Sequence, residues 1–312
     1  MKSDCLVSVI IPTHNRKDLL KISINSVLNQ TYQNIEIIVV DDFSTDGTKD
    51  FILSLRENRI RYFKNETNLY AAESRNIGIK YSKGEFIAFL DDDDEWLPEK
   101  LEKQIPLFNN DQVGIVYSSI NLFFETYNFS YKTVPTKKGY IYKSLLIKNY
   151  IGATPSVMVR KQAIKDIKDH KFFNSIFPAR EEYDLWIRIS KNWEIDYVKE
   201  PLVKQYYRND IKRISTNINN YVNAINLLNL EYDTEVKQML TEKEQRMRLF
   251  FQQFFMGSQA IKIGNSKLAR KYYLSAFKID RKLKAIISYV LSFFGARIVI
   301  ISRYYFDRIF GR

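Results

Sequence analysis

Short apolar runs alternate with amphipathic segments through the first 210 residues of the chain. Continuous apolar runs at 6–12, 35–40 and 86–90 are typical of strands that are buried on both faces of a sheet. Residues 18–29 place apolar side chains at helical spacing. Strands that alternate with helices predict an α/β fold with a doubly wound, mainly parallel sheet and right-handed crossovers.

The remaining patterns extend this order of elements. We expect further strands at 60–63, 113–117, 154–160 and 193–198, and further helices at 48–55, 68–81, 99–108, 161–168 and 180–189. Residues 118–150 predict a hairpin or a flexible loop. Helical spacing dominates from Asn217 onward, and two helices are expected to meet near Gly264. The patterns therefore predict an α/β domain over 1–215 and a helical region over 216–312.

Polar loops follow three of the predicted strands, at 13–16, 41–48 and 91–94. Open α/β sheets bind ligands where the carboxyl ends of their strands meet, so we expect these loops to form one site. The third loop holds four consecutive aspartates, whose carboxylates repel one another. A hard divalent cation such as Mg²⁺ or Mn²⁺ would balance them. In an extended chain Asp91 and Asp93 would point to the same side. A solvated acidic turn is the alternative.

The composition supports a globular core and argues against several kinds of site. The chain has 312 residues, of which 45% are hydrophobic. Cys5 is the sole cysteine, which excludes a disulfide framework and is compatible with a reducing cytoplasm. His14 and His170 are the two histidines, too few for a histidine-rich metal site. The polar first residues predict no signal peptide.

Positive charge is concentrated at the carboxyl end of the chain. The net charge is +12, and residues 260–312 carry twelve Lys or Arg residues against two acids. Within this region 285–301 is apolar but interrupted by Gly295 and Arg297, and it is short of the roughly 20 residues that span a bilayer. Basic residues flank it, namely Arg281, Lys282, Lys284, Arg303 and Arg308. The pattern predicts a helix that lies on an anionic membrane surface.

Two other interpretations of this helical tail stay open, a helix buried against the main domain and a homodimer contact. Nucleic-acid binding is disfavoured, because the basic residues are interleaved with aliphatic side chains and no nucleic-acid motif is present.

Five motifs follow one another in the first 210 or so residues. They are Val9-Ile-Ile-Pro-Thr-His-Asn-Arg16, Val39-Val-Asp-Asp-Phe-Ser-Thr-Asp-Gly-Thr48, Ser74-Arg-Asn-Ile-Gly78, Ile87-Ala-Phe-Leu-Asp-Asp-Asp-Asp-Glu-Trp-Leu-Pro98 and Glu181-Glu-Tyr-Asp-Leu-Trp186. Because these motifs occur in this order and at these spacings, the chain resembles family 2 glycosyltransferases of the GT-A fold over about two thirds of its length. The resemblance implies a Rossmann-like catalytic domain with a helical appendage.

The resemblance implies inverting sugar transfer from a nucleotide sugar, usually a UDP-sugar. By position, the nucleotide pocket is formed by Pro12, Thr13 and Asn15, with Arg16 beside it. Asp42 takes the place of the aspartate that reads the base, since a carboxylate can accept the uracil N3–H, and Asp41 is the alternative. Arg75 would face the base or the diphosphate, unless it is a helix-surface arginine.

The aspartate motif of the family falls on Asp91, Asp92 and Asp93. Asp93 would hold Mn²⁺ or Mg²⁺, and Asp91 the ribose or the metal. The metal would neutralise the leaving diphosphate.

The acidic pair that supplies the general base falls on Glu181 and Glu182. Glu182 occupies the base position, with Glu181 as the alternative, and a capping or helix-dipole role is the other interpretation of the pair. Tyr183 and Trp186 are either sugar platforms or core residues. The chain departs from the family in having Glu182 rather than Asp, and Tyr70 where a glycine is common.

The expected acceptor is a lipid-linked oligosaccharide, in the assembly of a bacterial surface polysaccharide or a glycoprotein glycan. The expected location is the inner face of the cytoplasmic membrane, bound peripherally. Two alternatives remain at this point, a polyprenyl-phosphate sugar synthase and a non-catalytic protein that binds nucleotide sugars.

Overall fold

A computed structural model describes residues 4–167, 172–208 and 217–302, so that His170, Arg303 and Arg308 lie outside the described residues. Within these ranges the strands are β1 (Val7–Thr13), β2 (Ile35–Asp41), β3 (Ile60–Lys64), β4 (Phe86–Phe89), β5 (Glu95–Trp96), β6 (Val113–Phe124), β7 (Phe129–Lys132), β8 (Met158–Arg160) and β9 (Glu194–Tyr207). The helices are α1 (Lys17–Leu28), α2 (Thr48–Ser54), α3 (Tyr70–Tyr81), α4 (Lys100–Gln104), α5 (Tyr142–Ile147), α6 (Lys161–Lys165), α7 (Glu181–Ser190), α8 (Ile218–Glu231), α9 (Asp233–Met239), α10 (Glu242–Lys262), α11 (Ser266–Ile279) and α12 (Leu283–Leu291).

The strands form one mixed sheet in the order β3–β2–β1–β4–β8–β6–β9–β5, and β7 pairs with β6. Strand β1 is parallel to β2 and β4, and β2 is parallel to β3. Strand β8 is antiparallel to both β4 and β6, whereas the long pair β6–β9 is parallel. The predicted α/β architecture with a mainly parallel sheet is confirmed.

The central strands are buried on both faces, as their continuous apolar runs predicted. Alternate side chains enter different cores because successive residues of a strand point to opposite faces. On β2, Ile37 packs in the core that contains Leu20 of α1, and Ile38 packs in the core that contains Ala72 of α3. This double burial explains why these strands are mostly apolar, and the buried exceptions Ser8 and Glu36 are hydrogen-bonded to each other at 2.6 Å.

Of the two alternatives predicted for 118–150, the structure has the hairpin. The strand predicted at 113–117 continues to Phe124, because Ile120, Leu122 and Phe124 are buried at every second position. It then turns back into β7 to form a hairpin. Strand β9 likewise runs past its predicted end to Tyr207. The extended part of the β6–β9 pair packs in the same core cluster as β1, β2 and β4.

The carboxyl-terminal helices pack against the α/β domain. Phe250 and Phe254 of α10 and Tyr273 of α11 belong to the same buried cluster as strands β1, β2 and β4. Tyr232 donates its hydroxyl proton to the carboxylate of Asp184 in α7 at 2.6 Å. The predicted domain boundary at 215 falls within 209–216, outside the described residues.

The single helix predicted over 285–301 is interrupted. Helix α12 ends at Leu291, and a short 3₁₀ turn leads to Gly295, whose φ of +99° is a conformation that L side chains rarely adopt. A further helical segment covers 296–302, where Val299 and Ile300 are buried. In the described part of the chain, no helix is both long and apolar enough to cross a membrane.

Gly257→Ala tests the packing of α10 on α11. A Cβ added at Gly257 would lie 2.6 Å from Cδ1 and Cε1 of Tyr273. Alanine should favour an isolated helix by roughly 0.5–1 kcal/mol, whereas overpacking of a core costs about 1–3 kcal/mol. We therefore expect a net loss of unfolding free energy in urea denaturation. A gain in stability would mean that the two helices are not packed this closely.

Candidate active site

One large cleft of about 1250 Å³ runs across the carboxyl ends of the strands. Its floor is formed by the loop after β1, by Asp42 after β2 and by the aspartates after β4. The start of α7 and one face of α10 form the opposite wall. The three polar loops that the sequence predicted to converge therefore do meet in one site.

The loop after β1 holds the aspartate turn by direct contacts. Thr13 donates its hydroxyl proton to Asp92 at 2.9 Å. Arg16 lies 3.0 Å from a carboxylate oxygen of Asp92 and 3.5 Å from one of Asp93. Burial, together with the charge of Asp93, raises the pKa of Asp92 to about 6 against the lowering effect of Arg16. Asn15, with a φ of +51°, accepts a hydrogen bond from the Thr45 amide at 2.8 Å and so joins two of the loops.

The four aspartates form a tight turn, so the expectation of an extended chain with Asp91 and Asp93 on one side was wrong. The Asp94 amide donates to the Asp91 carbonyl at 3.2 Å. Asp94 is buried and accepts from the Gln205 side chain and the Tyr206 amide of β9. Asp91 and Asp94 thus meet different elements, α3 and β9, whereas Asp92 and Asp93 share Arg16.

Two arginines supply the positive charge that the aspartate turn requires. Arg16 pairs with Asp92 and Asp93, and Arg75 of α3 pairs with Asp91 at 2.7 Å. Repulsion among the carboxylates therefore does not by itself require a metal ion, contrary to the sequence argument.

Arg75 also joins the aspartate turn to the acidic pair of α7. Its guanidinium lies 2.9 Å from Glu181, and only 7% of its side chain is exposed. The helix-surface alternative for Arg75 is therefore wrong. The bridge Asp91–Arg75–Glu181 connects residues that are 16 and 106 positions away from Arg75 in the chain. It places the turn and the acidic pair at the same cleft.

Asp42 faces the cleft, whereas Asp41 does not line it. Asp41 is fully buried, accepting from the Ser44 amide at 2.7 Å. Asp42 accepts from the Asn65 side chain and from the amides of Leu69 and Tyr70 at 2.7–2.8 Å. A carboxylate has about four acceptor positions, so Asp42 retains capacity for one more donor.

The Tyr70 backbone is strained, with a φ of +66°. This left-handed conformation costs a residue with a Cβ on the order of 1 kcal/mol and costs glycine little. It gives a physical reason for the glycine that the resembled family often has here. The hydrogen bond from the Tyr70 amide to Asp42 holds the conformation, and the Tyr70 side chain is exposed at the rim of the cleft.

Glu181 and Glu182 begin helix α7, and both line the cleft. Burial and the charge of Glu181 together raise the pKa of Glu182 to about 7, against the lowering effects of Arg180 and Arg75. Its carboxyl group can therefore exchange a proton near neutral pH. Of the two aromatic residues, Trp186 is fully buried in the core, while Tyr183 packs in the core and reaches the cleft wall.

One face of α10 lines the cleft, which the sequence did not predict. Phe251, Phe255, Gln259 and Lys262 recur every three or four positions along this face. Phe255 packs against Arg180, whose guanidinium carbon is 4.4 Å from the ring centre, and Lys262 donates to the Tyr207 hydroxyl at 2.8 Å. The spacing was visible in the sequence, but it indicates a helical face and does not indicate what that face borders.

The residues at the turn fit a divalent cation only in part. No group of three His, Cys, Asp or Glu side chains within the described ranges is arranged to hold a metal on its own. Asp91 and Asp93 nevertheless line the cleft. Mg²⁺ is often bound by one or two carboxylates together with substrate phosphates, so these two residues fit a cation that a bound diphosphate completes.

Comparisons with known proteins agree with this geometry. Residues 8–168 match the model described as glycosyl transferase family 2. Over 214 residues the chain is 33% identical to "UDP-Glc:alpha-D-GlcNAc-diphosphoundecaprenol beta-1,3-glucosyltransferase WfgD" of Escherichia coli, covering 69% of this chain and 81% of that protein.

Two solved structures resemble the chain over most of its length. One is TarS 1–349 of S. aureus in complex with UDP-GlcNAc, with a TM-score of 0.55, 19% identity and coverage of 91% of each chain. The other is the mannosyltransferase PcManGT of Pyrobaculum calidifontis in complex with GDP-Man and Mn²⁺, with a TM-score of 0.56 and 14% identity, covering 96% of this chain and 87% of that one. At these identities the likeness concerns the fold.

Proposed function

Because the chain belongs to glycosyl transferase family 2 and is a glycosyltransferase of the GT-A fold, we propose that it moves a sugar, with inversion, from a UDP-sugar to a hydroxyl group of a lipid-linked glycan. The observation that carries this proposal is the Asp91–Arg75–Glu181 bridge. It holds the candidate donor loop and the candidate base pair at one cleft, where a donor and an acceptor hydroxyl could be brought together.

The donor would lie along the strand-end loops. Pro12, Thr13 and Asn15 border the nucleotide, and Asp42 has one acceptor position left for the uracil N3–H. Arg16 would face the diphosphate, since guanidinium groups bind phosphate oxygens well. Asp92 is tied to Thr13 and Arg16 and would position this loop.

A divalent cation, Mn²⁺ or Mg²⁺, would be held by Asp93 and Asp91. When bound, it would neutralise the charge that develops on the departing diphosphate.

Glu182 would act as the general base. A base works best when its pKa lies near the operating pH, and the pKa of Glu182 is raised to about 7. Its carboxylate would take the proton of the acceptor hydroxyl as that oxygen attacks C1 of the sugar from the face opposite the nucleotide. Glu181 is held by Arg75 and would position the pair.

The acceptor class is suggested by the relative from Escherichia coli, whose name states that it acts on a GlcNAc diphosphoundecaprenol. The chain would accordingly work at the inner face of the cytoplasmic membrane, in the assembly of a surface polysaccharide or a glycoprotein glycan. Support comes from a group of exposed apolar residues between 283 and 298, which a lipid surface could cover: Leu283, Val290, Phe293, Phe294 and Ile298.

Donor hydrolysis tests the proposed activity without knowledge of the acceptor. We expect the protein with Mn²⁺ to release nucleotide slowly from one UDP-sugar in a panel of UDP-, GDP- and dTDP-sugars. EDTA and Asp93→Ala should each abolish the release, because both remove the proposed cation. Asp50→Ala is the matched control, since Asp50 is exposed on α2 and does not line the cleft.

Cleavage of a GDP-sugar alone would refute the UDP assignment. Binding of no nucleotide, measured by calorimetry with Mn²⁺ present, would refute the transferase proposal and favour a scaffold function.

A further inference from the structure

Three lysine side chains surround a single phenyl ring in and beside the cleft. The ammonium nitrogens of Lys284, Lys148 and Lys282 lie 4.7, 4.8 and 5.1 Å from the ring centre of Phe251. Lys148, Phe251 and Lys284 line the cleft itself. We call Lys148, Lys282 and Lys284 the lysine cluster. It draws on two distant parts of the chain, the end of α5 and the start of α12.

The cluster concentrates positive charge at one end of the cleft. Ammonium groups that share one ring centre at about 5 Å are within about 10 Å of each other, so they repel one another. Lys282 also forms an ion pair with Asp280 at 3.0 Å. The faces of Phe251 and of Tyr150, which lies 4.9 Å from Lys148, attract the cations. This concentration of positive charge at the cleft would attract an anionic ligand.

Lys148 and Lys284 of the lysine cluster share the cleft with the candidate base Glu182. Along α10, Phe255 packs against Arg180, which neighbours the candidate base Glu182. Phe251 is four residues earlier, which places it about 6 Å further along the helix axis on the same face. The cluster therefore borders the cleft about one helical turn beyond the side chains that flank the candidate base.

Helix α12 has two different sides at this point. Lys284 lines the cleft, whereas the neighbouring Leu283 is 58% exposed and belongs to the apolar group described above. A ligand with phosphate groups at Lys284 could therefore continue as a hydrocarbon chain along the outer side of the helix.

We propose that the lysine cluster binds the phosphate groups that link the acceptor glycan to its lipid. This inference rests on the proposed function, and it assigns the acceptor end of the same cleft. Diphosphate is the ligand class, because two adjacent phosphate groups can pair with more than one ammonium group at once. The glycan between the phosphates and Glu182 would be short, since one cleft holds both ends.

Binding of a lipid diphosphate without any sugar tests the inference independently of the acceptor sugar. The probes are phenoxyundecyl diphosphate and phenoxyundecanol, each titrated calorimetrically into the full chain. We expect the diphosphate to bind at least tenfold more tightly than the alcohol. Lys148→Ala/Lys284→Ala should remove that preference, and Lys148→Arg/Lys284→Arg should retain most of it. Lys237→Ala/Lys243→Ala removes the same charge outside the cleft and should bind the diphosphate as the wild type does.

Three outcomes would overturn the inference. The wild type could bind the alcohol as well as the diphosphate, or the alanine variant could keep the preference at an unchanged thermal midpoint. Alternatively, the variant could lose binding only to phosphatidylglycerol vesicles and not to the diphosphate probe, which would assign the cluster to the membrane surface. Failure of the wild type to bind any nucleotide with Mn²⁺ present would instead refute the proposed function, so the two failures are distinguishable.

Discussion

Glu182→Gln is expected to lower the rate of sugar transfer by about 10²- to 10⁴-fold, which is the usual contribution of a general base. Glutamine keeps the size of the side chain but cannot accept the proton of the acceptor hydroxyl. Its amide removes the charge that burial disfavours, so the fold should be retained. Transfer should be measured with saturating donor, because the loss should appear in kcat and leave the KM for the UDP-sugar close to the wild-type value.

The pH profile separates a proton acceptor from a residue that only shapes the site. The pKa of Glu182 is raised to about 7, first by burial and then by the charge of Glu181. Below that pH the carboxyl group is protonated and cannot act as a base, so wild-type activity should rise with pH through about 7. Glu182→Gln should abolish this rise in the residual activity.

Glu181→Gln is the matched control for the base assignment. The charge of Glu181 raises the pKa of Glu182, so its removal should move the rise in activity to lower pH while transfer persists. If Glu181→Gln were the variant that abolished transfer and the pH dependence, the two residues would have the opposite roles.

Arg75→Met is expected to reduce the unfolding free energy by about 2–4 kcal/mol. Removing one member of a buried ion pair leaves the partner charges uncompensated, which commonly costs 3–5 kcal/mol. Here Asp91 is 28% exposed and Glu181 14% exposed, so water relieves part of the cost. Urea denaturation at neutral pH measures the effect. Nucleotide binding should weaken as well, because the aspartate turn would lose its contact with α3.

Arg59→Met provides the comparison for this substitution. Arg59 pairs with Glu57 at 2.8 Å, but the two side chains are 30% and 25% exposed. Exposed ion pairs contribute about 0–1 kcal/mol, so the change should be small. If both substitutions cost the same, the bridge through Arg75 would not be a structural connection between the turn and α7.

The sequence predicted the elements whose formation depends on local pattern. Continuous apolar runs identified β1, β2 and β4 because both faces of these strands are buried. The parallel order of strands then brought the loops after them to one edge, which general rules of α/β folds predict. The motifs placed Asp42, Asp91, Asp93 and Glu182 correctly at one cleft. Their individual roles stay predictions.

The sequence did not predict how charges within the site are balanced. It suggested a cation for the aspartate turn, whereas Arg16 and Arg75 provide the balance in the structure. Nothing in the local pattern pairs Arg75 with Glu181, because the two residues are 106 positions apart. Ion pairs of this kind depend on where whole helices are placed.

The carboxyl-terminal region shows the same division between pattern and packing. Its charge and periodicity determined that it would be helical and basic, with an apolar face. Only the tertiary structure decided that α10 would line the cleft and that Lys148 and Lys284 would both lie over the ring of Phe251 there. The physical reason is that periodicity shows which side of a helix is apolar. The surface against which that side packs depends on contacts between residues far apart in the chain.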